Sequence, residues 1–142
     1  MLLKLHRLAH WLYCAGIPFL PKLIRNVNRI VFSAVIPPET TIGKNVTLGY
    51  QGLGIVIHGR AVIEDDVTIA QGVTIGGRSG IWEVPVIKRG ALIGAGAKIL
   101  GPVIVGEFAQ IGANAVVLKD IPAHAVAVGV PARIIKFNEK PA

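Results

Sequence analysis

Four histidines stand in the 142-residue chain, and they differ in what their surroundings offer. His58 follows the apolar run GLGIVI. Its imidazole, with an ordinary pKa near 6.5, can take a proton from an acceptor hydroxyl at neutral pH. Asp65 comes soon after, between Glu64 and Asp66. These acids either orient His58 or an acceptor, or stand as solvated charges. Tyr50 offers a phenol to an acceptor. Arg78, Lys88 and Arg89 suit phosphate groups as well as plain solubility, and so do Lys119 and Arg133 nearer the C-terminus. His6 and His10 are four apart, on one helix face, but no Glu lies between them and no third ligand follows. They read as a polar helix face. His124, in the segment PAHA, has no chemical partner nearby. A catalytic zinc needs three converging ligands, so no metal is expected. The single cysteine, Cys14, excludes a disulfide framework and reads as buried packing.

The element that must carry these groups declares itself by its period. Aliphatic residues recur every six positions at Ile36, Ile42 and Leu48. After a shift of three they continue at Ile57, Ile63, Ile69, Ile75, Ile81, Ile87, Ile93, Ile99, Val105, Ile111 and Val117. Four places after most of them stands a small or β-branched residue, such as Ala61, Val67, Ala91 or Ala97. Six fits neither an amphipathic helix nor an alternating strand. It is the spacing of a hexapeptide-repeat parallel β-helix, three hexads to a triangular coil. The fold class is therefore all-β, with short N-terminal helices. The chain divides into a helical segment (1–33), the β-helix (34–121) and a tail (122–142).

Two interruptions mark candidate functional loops. One is the insertion within GYQGLGIV (49–56), which contains Tyr50. The other is GRSGIWEVPV (77–86), where the hexad survives in length but Trp82 and Pro85 cannot serve as coil residues. An extruded loop is expected there. Counting 18 residues per coil from His58 reaches Gly76, then Gly94, then Gly112. At roughly 4.8 Å per coil these would line one edge over about 14 Å. Their small neighbours Gly77, Ala95 and Ala113 would leave a groove where a ligand approaches backbone N–H groups.

The first 38 residues contain no acid and carry Lys4, Arg7, Lys22, Arg25 and Arg29. Leu2, Leu5, Leu8, Ala9 and Leu12 form one helical stripe there, and Leu23, Ile24, Val27, Ile30 and Val31 a second. These stripes pack on the rest of the fold or on a neighbouring subunit, or lie on a membrane surface. No apolar run is long enough to span a bilayer, and Gly16 and Pro18 break the one that would suit a signal peptide. The expected location is cytoplasmic, with association at the inner membrane face as an option. Nucleic acid is not an expected partner.

With the repeat in place, the segments VTIAQGVTIGG (67–77), ALIGAGAKILG (91–101) and AQIGANAVVLKDIPAHAVAVGVPARII (109–135) resemble the hexapeptide-repeat acyltransferases. WLYCAGIPFLPKLI (11–24) and GLGIVIH (52–58) are similar to their serine O-acetyltransferase-related branch found in surface-polysaccharide gene clusters. The resemblance implies a left-handed coil, a homotrimer with sites between subunits, and acetyl-CoA as co-substrate. It implies that Gly76, Gly77, Gly94, Ala95, Gly112, Ala113, Lys119 and Arg133 bind the coenzyme; the thioester would then lie beside His58, which the chain's own residues make the candidate catalytic base. Tyr50, Asp65 and Arg78 are the matching candidates for the acceptor. True serine acetyltransferases carry Asp-His where this chain has Gly49-Tyr50, and an Arg-His pair in the second loop, which here contains no histidine. A sugar hydroxyl of a polysaccharide precursor is therefore the expected acceptor, with serine as the alternative. A non-catalytic trimeric scaffold is the remaining possibility.

Overall fold

The computed structural model describes residues 1–139. Two helices, α1 (Leu2–Cys14) and α2 (Leu20–Phe32), precede a parallel β-solenoid with three faces. Face one stacks Val56–Ile57, Thr74–Gly76, Lys98–Leu100 and Val116–Val117. Face two stacks Thr41–Ile42, Val62–Ile63, Val86–Ile87 and Ile104–Val105. Face three stacks Thr47–Leu48, Thr68–Ile69, Leu92–Ile93, Gln110–Ile111 and Ala125–Val128.

The period-six residues fill the interior. Ile57, Ile63, Ile69, Ile75, Ile87, Ile93, Ile99 and Ile111 are all at most 1% exposed. The small residues four places later, Ala61, Val67, Val73, Ala91, Ala97 and Ala115 among them, are buried beside them. Each buried isoleucine contributes on the order of 2 kcal/mol. Identical aliphatics stack coil upon coil because parallel pairing sets Ile57 on Ile75, Ile63 on Ile87 and Ile69 on Ile93.

One member of the row departs. Ile81 is 36% exposed and stands in the loop between the strands Thr74–Gly76 and Val86–Ile87. The loop expected from Trp82 and Pro85 is present, and it consumes one whole hexad. Ile75 consequently pairs with Ile99, not with Ile93.

Both ends of the solenoid are closed. At the C-terminal end the ladder runs past Val117, where the six-residue spacing stops. Ala125–Val128 continues face three in register on Gln110–Ile111, and Arg133–Phe137 turns back antiparallel along it. At the other end, the first coil has backbone carbonyls with no strand beneath them, and α1 supplies donors. His6 Nε2 donates to Thr40 O at 3.1 Å, His10 Nδ1 to Pro38 O at 2.7 Å, and Arg7 to Gly43 O at 2.7 Å.

That requirement sets how α1 lies. The expected stripe is only half right: Leu2, Ala9 and Leu12 are buried, but Leu8 is exposed and His6 takes its place inside. The two histidines are a docking face, not a solvated one, because buried carbonyls must be paired. Cys14 is exposed, contrary to the packing role expected of it. In α2 only Pro21 and Asn28 are buried, while Leu23, Val27, Ile30 and Val31 are exposed in the single chain. Among the described residues no helix is long and apolar enough to cross a membrane.

Candidate active site

The three edges of the prism hold different chemistry. After face one, the turns place His58, Gly76 and Leu100 above one another, since His58 N–H donates to Ile75 O at 2.8 Å and Gly76 pairs with Leu100. After face two come Glu64, Lys88 and Gly106, linked by Glu64 N–H to Ile87 O and Lys88 N–H to Val105 O. After face three come Ala70, Gly94 and Gly112, linked by Ala70 N–H to Ile93 O and Gly94 N–H to Ile111 O.

The single edge inferred by counting 18 residues is thus two edges. His58, Gly76 and Gly77 share the first. Gly94, Ala95, Gly112 and Ala113 share the third. The loop adds six residues to the coil and so shifts everything after it by one face, and a count along the chain cannot register that. Lys119 follows Val117 on the first edge and is exposed. Arg133 opens the antiparallel strand, paired with Val128, and is exposed.

The third edge is bare for a steric reason. A Cβ on Gly94 would lie 2.6 Å from Ile111 O and 2.7 Å from Ala113 N, both backbone atoms that cannot yield. A Cβ on Gly112 would lie 2.7 Å from Val128 Cγ1.

On the first edge, His58 is half-buried and its ring is held by one backbone hydrogen bond. Arg60 N–H donates to Nδ1 at 3.1 Å. A neutral ring that accepts at Nδ1 carries its proton on Nε2. The Nε2 side faces the next coil, where a Cβ on Gly77 would lie 4.0 Å from Nε2 and 3.7 Å from Cδ2. These are ordinary van der Waals distances, so the Gly77 turn lies directly against the ring. Arg78 leans across the coil above, so closely that a Cβ on Gly101 would lie 2.5 Å from Arg78 Cδ.

The acids do not reach His58. Asp65 is on the second edge, where Oδ1 accepts Lys44 N–H at 2.7 Å. Glu64 pairs with Lys88 at 3.0 Å, and Asp66 with Arg89 at 3.1 Å. These are surface ties between coils, of at most about 1 kcal/mol each. Proximity in sequence misled here because Ile63 and its strand lie between the two edges. Tyr50 lies on the third edge, in the one-turn 3-10 segment Gly49–Gly52. It is 78% exposed, at φ 47°, and Gln51 beside it is at φ 58°. Two successive non-glycine residues in the left-handed region cost on the order of 1 kcal/mol or more apiece, a strain typical of functional loops.

Arg60 and Trp82 had no signal in the sequence as site residues. The Arg60 guanidinium lies 3.6 Å from the Trp82 ring centroid and donates to Trp82 O at 2.6 Å. Among the described residues no group of three or more His, Cys, Asp or Glu side chains converges as a metal site.

The comparisons with known proteins agree with this architecture. Residues 85–119 match the family described as bacterial transferase hexapeptide, six repeats. The serine acetyltransferase of Bacillus pumilus is 42% identical over 137 residues, covering 95% of this chain and 63% of that one. That of Escherichia coli K12 is 45% identical over 135 residues, covering 94% and 49%. The serine acetyltransferase of Brucella abortus strain S19, solved in complex with coenzyme A, superposes with a TM-score of 0.93 at 40% identity, covering 96% of this chain and 55% of that one. The chain thus spans less than two thirds of these relatives. The chain carries a hexapeptide-repeat match over residues 85–119 and is similar over nearly its whole length to part of the serine acetyltransferases.

Proposed function

We propose that the protein is an acetyl-CoA-dependent O-acetyltransferase and that His58 is its general base. The observation that carries this is the placement of the half-buried His58 ring on the first edge, directly against the Gly76–Gly77 turn of the next coil. His58 takes the proton of an acceptor hydroxyl as its oxygen attacks the thioester carbon. Backbone N–H groups at Gly76 and Gly77 hold the oxyanion. The C–S bond breaks, and the coenzyme A thiolate collects the proton from His58.

For the first step the ring must present a lone pair, so it gives up the bond from Arg60 N–H and turns. That costs about 0.5–1.5 kcal/mol. A positioned base contributes about 10² to 10⁴ in rate, or roughly 3 to 5 kcal/mol, so the exchange does not decide the outcome.

Acetyl-CoA runs along the bare third-edge turns at Gly94, Ala95, Gly112 and Ala113, with Arg133 of the same subunit and Lys119 from the facing first edge of a neighbouring subunit meeting its phosphates. Because His58 stands on the first edge, a homotrimer completes the site, with the first edge of one subunit against the third edge of the next. Tyr50 and Arg78 then border the acceptor from two subunits.

Serine is the first acceptor, from the names and identities of the relatives. A sugar hydroxyl is the second reading, favoured by the exposed Trp82 indole beside a loop without histidine. Steady-state acetyl transfer to L-serine and to a panel of nucleotide-linked sugars separates the two. Turnover with neither, alongside absence of acetyl-CoA binding, would overturn the enzymatic reading.

A further inference from the structure

The extruded loop Gly77–Pro85 is tied down at one point that the proposed chemistry does not use. Arg60 is exposed, two residues past His58, on the same turn. Its backbone N–H holds the His58 ring while its side chain reaches the loop of the next coil. There the guanidinium stacks on Trp82 at 3.6 Å from the ring centroid and donates to Trp82 O at 2.6 Å. One residue therefore grips both the candidate base and the loop. The loop's other anchors are its two ends, Gly76 in the ladder with Arg78 resting against Gly101, and the buried Pro85 with Val84 packed on the core. Trp82 itself is 72% exposed. An indole so exposed would move freely without the clasp.

We propose that Arg60 is a positioning residue that fastens Trp82 over the His58 edge, so that the indole forms a fixed wall of the acceptor pocket. The inference rests on the reading of His58 as the acyltransfer base. It adds that acceptor binding, and not coenzyme binding or proton transfer, depends on the clasp. A planar guanidinium is needed, because the stack and the in-plane donation to a carbonyl use the two faces of its geometry together. Losing a cation–π stack and a hydrogen bond at an exposed site is expected to raise the acceptor KM about tenfold. The bond to Nδ1 comes from the backbone, so the pH profile should not move when the side chain is removed.

The test uses the full chain with Arg60→Ala, Arg60→Lys, Trp82→Ala and the double variant Arg60→Ala/Trp82→Ala. Trypsin cleavage after Arg78, followed by mass spectrometry, reads loop opening without reference to activity. Arg60→Ala is expected to speed that cut, to raise the acceptor KM, and to leave kcat, the acetyl-CoA KM and the pH midpoint within about twofold. Trp82→Ala should do the same, the double variant should be no worse than either single one, and Arg60→Lys should recover only part of the loss. An unchanged cleavage rate, additive effects in the double variant, or a shifted pH midpoint would overturn the proposal. If the parent transfers acetyl to no acceptor, the functional reading fails, and the cleavage rates still decide whether the clasp exists.

Discussion

Replacing His6 with glutamine should remove a distinct component of the protein's sensitivity to mild acid. His6 lies inside the contact between α1 and the first coil, 2% exposed, with Nε2 donating to Thr40 O. Its Nδ1 has no hydrogen-bond partner. A proton added there would be a buried donor with nothing to meet it. Burial accordingly lowers the pKa from 6.5 to about 4, opposed in part by the Thr40 carbonyl and assisted by the nearby His10 and Arg7. The sign follows from linkage. Between pH 6.5 and 4 the unfolded chain binds a proton that the folded chain refuses, so stability falls as pH falls through that window and levels off below it. Above pH 6.5 both states are neutral at this site and nothing changes. The full difference is about 3 kcal/mol, of which about 2 kcal/mol is already lost at pH 5. With a urea slope of about 2 kcal/mol/M, the midpoint of the parent should drop by roughly 1 M between pH 7.5 and pH 5 through His6 alone. His6→Gln keeps a donor toward Thr40 O and cannot titrate, so its midpoint should lack that component. The assay is urea denaturation followed by far-ultraviolet circular dichroism, at one fixed protein concentration so that any assembly equilibrium is held constant. Equal acid slopes in parent and variant would refute the reasoning.

His58→Ala should lower acetyl transfer by about 10² to 10⁴ while acetyl-CoA binding by calorimetry stays intact; an unchanged kcat would move the search for the base to Tyr50. Gly94→Ala should lower the melting temperature sharply or prevent folding, because the added Cβ meets only backbone atoms within 2.8 Å; a melting curve like the parent's would contradict the packing of the third edge. Glu64→Gln should change stability by no more than about 1 kcal/mol, since its partner Lys88 and its own side chain are both partly solvated; a larger loss in thermal denaturation would give the second edge a role not assigned to it here. Sedimentation should give a trimer, and a stable monomer with full activity would refute the two-edge site.

Much of this molecule could be read from the chain. The six-residue spacing named the interior residues one by one, because each face of a solenoid coil offers one deep position and one shallow one. Ile63, Ile69, Ile93, Ile99 and Ile111 are where that spacing puts them. His58 stood out as the one histidine within the repeat. The orientation of α1 was not legible. Its apolar stripe is satisfied in two ways, and the choice between Leu8 and His6 is made by the unpaired carbonyls of Thr40 and Pro38, which the periodicity of the helix does not contain. Arg60 was equally silent, since an arginine in a turn ordinarily means a solvated charge.

The sequence by itself determined the solenoid and its core, since burial in a three-faced coil depends only on local spacing. Which groups share an edge was decided by tertiary structure alone. The loop Gly77–Pro85 adds one whole hexad to the chain, so the aliphatic rhythm passes through Ile81 without a missed beat. In space that hexad leaves the coil, and every later residue turns by one face. Asp65 moves away from His58 for the same kind of reason: a strand intervenes, and neighbours in the chain become occupants of different edges. Linear period measures how many units there are, but an edge is defined by how many of them are wound into the wall.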